Sequence, residues 1–155
     1  MEDAGKINCL AVDGSDSSKH AFVWYIENMH RKDDTLVIIH VYNVPRVVPI
    51  GVMGAYVPVE AYKKMVDKSI KDVNNIVNYF TNFCEKHKIK YKCIIVDDCH
   101  GTGYEICNSV KKCMGNIVIL GQRGIGKFSR FLLGSTSDYV LHHSLIPVVV
   151  IPQTN

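Results

Sequence analysis

Short apolar runs alternate along this chain with longer amphipathic stretches. Five of the runs have the length and the β-branched content of strands. They cover residues 7–12, 36–41, 91–96, 117–120 and 146–152. The second, fourth and fifth runs are almost continuously apolar, which is typical of strands covered on both faces of a sheet.

Four stretches between these runs predict helices. Residues 16–18 are polar and suit the first turn or cap of the first helix, and Thr102 is a candidate cap for the third. A long second helix is predicted from about Val59 to His87, and a last one from about Ser137 to Ser144. The predicted apolar face of the first helix is Ala21, Phe22, Tyr25, Ile26 and Met29. That of the second helix is Tyr62, Val66, Ile70, Val73, Val77, Phe80 and Cys84. That of the third helix is Ile106, Cys107, Val110 and Met114.

The resulting order β-α-β-α-β-α-β-α-β predicts an α/β fold: an open five-stranded parallel sheet with helices on both faces. The chain shows no internal repeat and no boundary, so we expect one domain over residues 1–155. Ligands of such sheets bind beyond the carboxyl ends of the strands. Asp13 follows the first strand and Gly121 follows the fourth, so we expect both at that edge.

Residues 43–58 carry three prolines and two glycines in apolar surroundings. This stretch is too interrupted for regular structure, and long loops of this kind are commonly functional. It is a candidate lid over a ligand.

Composition excludes several classes of protein. The 155 residues are 47% hydrophobic and 21% charged, which is a globular composition. A net charge of +3 with scattered basic residues does not favour nucleic acid, and no apolar run approaches the roughly 20 residues of a membrane span. The first six residues are polar and lack a signal-peptide core. Six cysteines without a C-x-x-C pair indicate reduced thiols, so we expect a cytoplasmic protein.

The stretch from Gly121 to Ser137 is the strongest indication of chemistry. It joins an apolar strand, a glycine-rich loop and hydroxyl residues that suit a helix start. Glycines allow backbone N–H groups to approach a polyphosphate, and a helix N-terminus adds partial positive charge. Residues 121–127 fit the start of a Walker A loop, but Phe128 stands where its Ser or Thr is required. The dinucleotide pattern G-x-G-x-x-G also fails after the first strand.

The spacing Gly121, two residues, Gly124, nine residues, Gly134-Ser135 resembles the motif of the universal stress protein family, in its ATP-binding branch. The similarity extends over nearly the whole chain. It includes the strand that ends at Asp13, the strand that ends at His40-Val41, and the final segment 147–152.

The resemblance implies a role for each matching residue. It places Asp13 near the ribose or base, Val41 against adenine through its backbone, and Gly121 and Gly124 along the ribose and phosphates. Gly134, Ser135 and Thr136 are expected at the phosphates, with Ser137 beside them at the helix start. The loop departs from the family pattern because Arg123, Lys127 and Arg130 make it unusually basic. Arg123 is a further candidate for the nucleotide site, and Lys127 or Arg130 is a candidate for charge-assisted bonds to the phosphates. Mg²⁺ or Mn²⁺ accompanies the triphosphate in similar proteins, while the chain's own residues predict no metal site. Asp13 before Gly-Ser also fits a simple turn or cap.

Three functions remain open from the sequence. The leading one is an ATP-binding protein of stress response or signalling, in which ATP, ADP or AMP acts as a conformational ligand. The second is a slow ATPase or phosphotransferase that uses the same loop. The third is a nucleotide-free homodimeric interaction module, because the apolar last strand, Val148 to Ile151, is an exposed edge and the resemblance implies pairing through it.

Overall fold

The computed structural model describes residues 5–46, 58–122 and 133–153, and its order of strands and helices is the predicted one. Residues 47–57, which hold most of the predicted lid, lie outside the described residues. The elements are β1 Ile7–Ala11, α1 Asp16–Asn28, β2 Thr35–Tyr42, α2 Val59–Lys86, β3 Tyr91–Asp97, α3 Thr102–Lys112, β4 Ile117–Gly121, α4 Ser135–His143 and β5 Val148–Ile151.

The five strands form one parallel sheet in the order β3-β2-β1-β4-β5. From β1 the chain adds β2 and then β3 on one side. It then crosses back and adds β4 and β5 on the other side of β1. The direction therefore reverses between β1 and β4, and this reversal leaves a crevice beyond the carboxyl ends of these two strands.

Two apolar layers cover the sheet, because successive strand residues point to opposite faces. Helices α1 and α2 pack on one face, where the buried set is Leu10, Val12, Ala21, Phe22, Tyr25, Leu36, Ile38, Phe80, Cys84, Ile89, Ile119 and Ile151. Helices α3 and α4 pack on the other, where the buried set is Cys9, Ala11, Val37, Ile39, Ile106, Val110, Val118, Leu120 and Val140. The prediction of helices on both faces is confirmed.

The predicted apolar stripe of α2 holds only for its second half. Val77, Phe80 and Cys84 are buried, whereas Ile70 is 54% exposed. The first half of this 28-residue helix extends along the end of β2 and buries little of its surface. The prediction for Ile70 was therefore wrong, because helical spacing shows which face is apolar but not how far the sheet reaches beneath it.

Three predicted helix ends also need correction. Gly101, not Thr102, is the N-cap residue of α3, and the Thr102 hydroxyl instead donates to Asp98 Oδ2 at 2.6 Å. Helix α4 begins at Ser135, two residues earlier than predicted. Met114 is 78% exposed because α3 ends at Lys112 and a left-handed turn at Met114, with φ 55°, carries this side chain off the apolar face.

Among the residues that the structure describes, no helix combines the length and apolarity needed to cross a membrane.

Candidate functional site

A cleft of about 420 Å³ opens at the reversal point of the sheet, beyond the carboxyl ends of β1, β2 and β4. Side chains and backbone from seven segments meet there. The lining residues are Ala11, Val12, Asp13, Ser17, Ser18, Ile39, His40, Val41, Asn43, Thr102, Ile106, Leu120, Gly121 and Gly134 to Ser137. The expectation that Asp13 and Gly121 share one edge is confirmed.

The turn after β1 positions Asp13. Its Oδ1 accepts hydrogen bonds from the backbone N–H of Ser15 at 3.0 Å and from the Ser15 hydroxyl. The Ser15 Oγ caps α1 by accepting from the N–H of Ser18. Asp13 thus serves the turn as well as lining the cleft, and its exposed carboxylate places negative charge at the rim.

Gly121 lines the cleft at the point where β4 approaches the start of α1. A Cβ built on Gly121 would overlap the carbonyl oxygen of Ser17. Only glycine allows the two backbones to lie this close. Packing therefore explains why the sequence motif has glycine at position 121.

Gly134 has a different role, because it opens α4 without a side-chain cap. Its φ of −60° suits any residue, and a Cβ there would meet no described atom within 4 Å. The fold thus does not require glycine at this position. Among the described residues, the space beside the first turn of α4 is open, and a bound group there can approach the N–H groups of Ser135, Thr136 and Ser137.

His40 is a functional candidate, but the sequence did not establish whether its side chain lies at the site. Its ring is buried at 5% exposure and lines the cleft, and Nδ1 donates to the carbonyl oxygen of Val12 at 2.8 Å. A carbonyl oxygen only accepts, so Nδ1 carries the proton of this hydrogen bond.

Val41 is the next-to-last residue of β2, beside His40, and lines the cleft. The sequence missed nine further lining residues: Ala11, Val12, Ser17, Ser18, Ile39, Asn43, Thr102, Ile106 and Leu120. Asn43 follows a strand, and Ser17, Ser18 and Thr102 lie in first helical turns. The rule that parallel strands and helix starts share one edge would have selected these four.

Arg123 and Gly124 fall outside the described residues, as do Lys127 and Arg130 of the same loop. Their predicted contacts with phosphate groups remain predictions. The described part of the motif, Gly121 and Gly134 to Ser137, does meet in one cleft.

Charged groups at the end of β3 form a separate cluster. The Arg46 guanidinium donates to Asp97 Oδ2 at 3.1 Å, and the Cys99 thiol donates to the same oxygen at 3.1 Å. The hydrogen bond from Cys99, with those from Val44 N–H and Arg46, lowers the pKa of Asp97. These interactions hold the chain that leaves β2 against the sheet edge.

A second concavity of about 430 Å³ lies at the opposite end of the sheet, between the last turns of α3 and α4. Tyr104, Met114, Leu145 and Ile146 contribute to its mainly apolar lining. It lies away from the reversal point and from the motif residues, so the cleft at Gly121 is the better candidate for chemistry.

The cleft's own residues suit an anionic ligand with hydroxyl groups. The first turn of α4 offers N–H donors, and the Asp13 carboxylate offers an acceptor. Across the described residues, no three His, Cys, Asp or Glu side chains are placed to hold a metal ion.

Comparison with known proteins gives a family match over almost the whole chain. A model of the universal stress protein family matches residues 7–152. The chain is 26% identical over 138 residues to the universal stress protein A-like protein of Arabidopsis thaliana, covering 87% of this chain and 78% of that protein. It is 29% identical over 154 residues to universal stress protein PHOS32 of the same plant, covering 92% of this chain but 62% of that longer protein.

Solved structures share the fold. A universal stress protein family protein from Arabidopsis thaliana with AMP bound matches with a TM-score of 0.71 at 20% sequence identity, covering 96% of this chain and 92% of that one. The universal stress protein from Archaeoglobus fulgidus in complex with dAMP matches with a TM-score of 0.61 at 16% identity, covering 95% and 97%.

Proposed function

The chain belongs to the universal stress protein family, and on this premise we propose that its cleft binds an adenine nucleotide, with ATP as the ligand. Mg²⁺ or Mn²⁺ would be carried on the phosphates. AMP and dAMP are bound by two proteins of the same fold, and this supports the adenine nucleotide class for this chain.

One observation carries the proposal: the first turn of α4, whose N-cap residue Gly134 has no side chain, lines the same cleft as Asp13, and a Cβ on Gly134 would meet no described atom within 4 Å. In this arrangement the phosphates lie against the N–H groups of Ser135, Thr136 and Ser137, where the helix dipole favours negative charge. Asp13 accepts a hydrogen bond from a ribose hydroxyl. Val41 contacts the base through its backbone, and Gly121 keeps the floor free of side chains.

The nucleotide acts as a conformational ligand in stress response or signalling. A ligand that binds one state preferentially stabilises that state in proportion to the difference in affinity. It also raises the free energy of unfolding, by about 2.7 kcal/mol at a hundredfold excess over Kd. Hydrolysis of the nucleotide is not needed to stabilise one state in this way.

Extraction and calorimetry test the proposal directly. The purified protein is denatured, the supernatant is examined for ATP, ADP and AMP, and the stripped protein is titrated with ATP with and without Mg²⁺. We expect Asp13→Asn to weaken binding about tenfold, because one charge-assisted hydrogen bond is lost. Asp16→Asn is the matched control, since Asp16 lies in the first turn of α1 outside the cleft lining. No bound nucleotide and no heat of binding to the stripped protein would refute the proposal.

We also propose that two copies pair through β5. Within the described residues, β5 is an edge strand that hydrogen-bonds to β4 alone. The carbonyl oxygens of Pro147 and Ile151 accept from β4, so the alternating residues Val148 and Val150 turn their backbone groups outward. An apolar edge of this kind suits a second copy of the same strand.

A proline substitution tests pairing at the edge without breaking the β4 ladder, because Val150 N–H points outward. We expect a homodimer by light scattering for the natural chain and a monomer for Val150→Pro. The control is Ile95→Pro on β3, the opposite edge strand. The Lys90 carbonyl and the Asp98 N–H bond to β2, and both residues are an odd number of positions from Ile95. The Ile95 N–H therefore also points outward. A monomeric natural chain, or equal loss of pairing in both variants, would contradict pairing through β5.

We propose the cytoplasm as its location, since all six cysteines are free thiols. Free thiols are the usual state in a reducing compartment.

A further inference from the structure

Two cysteines far apart in the sequence are in contact in the core. Cys9 Sγ on β1 lies 3.4 Å from Cys113 Sγ, which belongs to the C-cap residue of α3. Cys113 Sγ also lies 3.4 Å from the carbonyl oxygen of Val110, to which it donates. The Cys113 proton is directed to that carbonyl, so the Cys9 thiol donates to the Cys113 sulfur. We propose that Cys9 and Cys113 form a reversible disulfide when the protein meets a hydroperoxide.

The two thiols have unequal access to an oxidant. Cys9 is 0% exposed, whereas Cys113 is half-buried near the protein surface. Burial, and then the neighbouring Cys113, raises the pKa of the Cys9 thiol far above its usual value. Cys9 therefore stays protonated and is a poor target for direct oxidation. Cys113 reacts first, and Cys9 resolves the product.

The reaction balances with one hydroperoxide. The Cys113 thiolate attacks a peroxide oxygen, an S–O bond forms, the O–O bond breaks, and the departing oxygen takes up a proton to leave as water or alcohol. The Cys9 thiol then passes its proton to the oxygen of this sulfenic acid as its sulfur attacks the Cys113 sulfur. The S–S bond forms, the S–O bond breaks, and hydroxide leaves with the Cys9 proton as water. Two thiols lose two electrons in all, and a thiol reductant reverses the step.

The local backbone keeps the two sulfurs together. A bond at about 2.05 Å requires the sulfurs to close by roughly 1.4 Å. Cys113 lies where α3 ends in a turn closed by bonds from Gly115 N–H to Val110 O at 3.0 Å and from Met114 N–H to Lys111 O at 3.2 Å. A Cβ at Gly115 would lie 2.6 Å from Cys9 Sγ, so the glycine makes room for that sulfur. The closure takes place at a helix end, which moves more readily than a helix centre.

Peroxide treatment followed by alkylation under denaturing conditions tests the pair. We expect Cys9 and Cys113 to lose their alkylation together in the oxidised protein, and proteolysis to yield one cross-linked peptide pair that contains both. A thiol reductant should restore both sites. The melting temperature should rise on oxidation, because the bond constrains the unfolded chain.

Three variants separate the roles of the cysteines. In Cys9→Ala, a sulfenic acid should accumulate on Cys113 and be trapped by dimedone. In Cys113→Ala, Cys9 should remain alkylatable after peroxide. Cys107→Ala, a half-buried thiol on the same helix, should leave the cross-link intact. If circular dichroism shows that Cys9→Ala does not fold, two measurements still test the proposal: the peptide map of the natural chain and the alkylation of Cys9 in Cys113→Ala.

Three results would overturn the proposal. One is that Cys9 and Cys113 both stay alkylatable at a peroxide dose that oxidises the exposed thiols Cys93 and Cys99. Another is that Cys113 proceeds to sulfinic acid without a cross-link. The last is that Cys113 is linked only between two copies of the chain.

Discussion

The imidazole of His40 and the carbonyl oxygen of Val12 join two neighbouring strand ends at the cleft, with 2.8 Å between Nδ1 and the oxygen. The Val12 N–H in turn donates to the Ile39 carbonyl at 2.8 Å. These two bonds extend the pairing of β1 with β2 past the end of β1 and fix the position from which Asp13 enters the turn.

Replacing His40 should therefore destabilise the protein. His40→Leu keeps a side chain of comparable bulk but removes the donor to the Val12 oxygen, and we expect a loss of about 1–3 kcal/mol. Urea unfolding measures the change. The control His20→Leu, on the half-buried side of α1, should change the free energy of unfolding by less than half as much. An equal loss in both variants would show that the bond contributes nothing.

Gly134→Ser should separate stability from ligand binding. A serine at this N-cap position can accept a hydrogen bond from the first turn of α4, so we expect the free energy of unfolding to stay equal or to rise by a few tenths of a kcal/mol. The same side chain occupies the space and the donors that the phosphates need, so nucleotide affinity should fall at least tenfold. Thermal unfolding and titration with ATP measure the two effects. Unchanged affinity would mean that the phosphates lie elsewhere.

Lys88→Gly should stabilise the protein. Lys88 holds φ at 56° in the turn that ends α2, where Ile89 N–H bonds to Cys84 O at 2.9 Å and Lys88 N–H to Glu85 O at 3.2 Å. Glycine adopts this conformation without strain, so we expect a gain of about 0.5–1 kcal/mol by urea unfolding. Lys86→Gly, two residues earlier within the helix, should instead cost about 1 kcal/mol. A loss in both variants would refute the strain at Lys88.

Tyr25 should make the protein sensitive to high pH. Its buried hydroxyl accepts from Asn8 Nδ2 at 3.0 Å, and burial raises the pKa of Tyr25 from 10.0 to about 12. The folded pKa lies above the unfolded one, so this contribution to stability is complete below pH 10 and is lost as the pH rises through about 12.

Unfolding of the natural chain and of Tyr25→Phe at several pH values measures the Tyr25 contribution. The natural chain should lose stability between pH 10 and 12 more steeply than Tyr25→Phe. Parallel curves for the two proteins would contradict the assignment to Tyr25.

The sequence allowed the order of the elements and the edge of the sheet that carries the site to be predicted. Strands such as 36–41 are apolar on both faces, so their pattern alone predicts a doubly covered sheet. Asp13, Val41, Gly121 and Gly134 to Ser137 were expected at one edge, and all of them line the cleft.

Features that depend on contacts between distant segments were not predictable. The exposure of Ile70 depends on where the sheet ends beneath α2, and that of Met114 on a turn that local spacing does not encode. The bond from His40 to Val12 joins residues 28 apart, and the contact of Cys9 with Cys113 joins residues 104 apart. Helical or strand periodicity carries no information about such pairs.

The close approach of Gly121 to Ser17 has a consequence for how binding specificity can change. Both residues line the cleft and meet there through main-chain atoms, which are the same in every amino acid. Substitutions that keep the fold cannot retune this part of the cleft. Diversification toward another ligand must therefore occur at the rim, at positions such as Asn43, Thr102 and Ser135, and a directed library should concentrate on these residues.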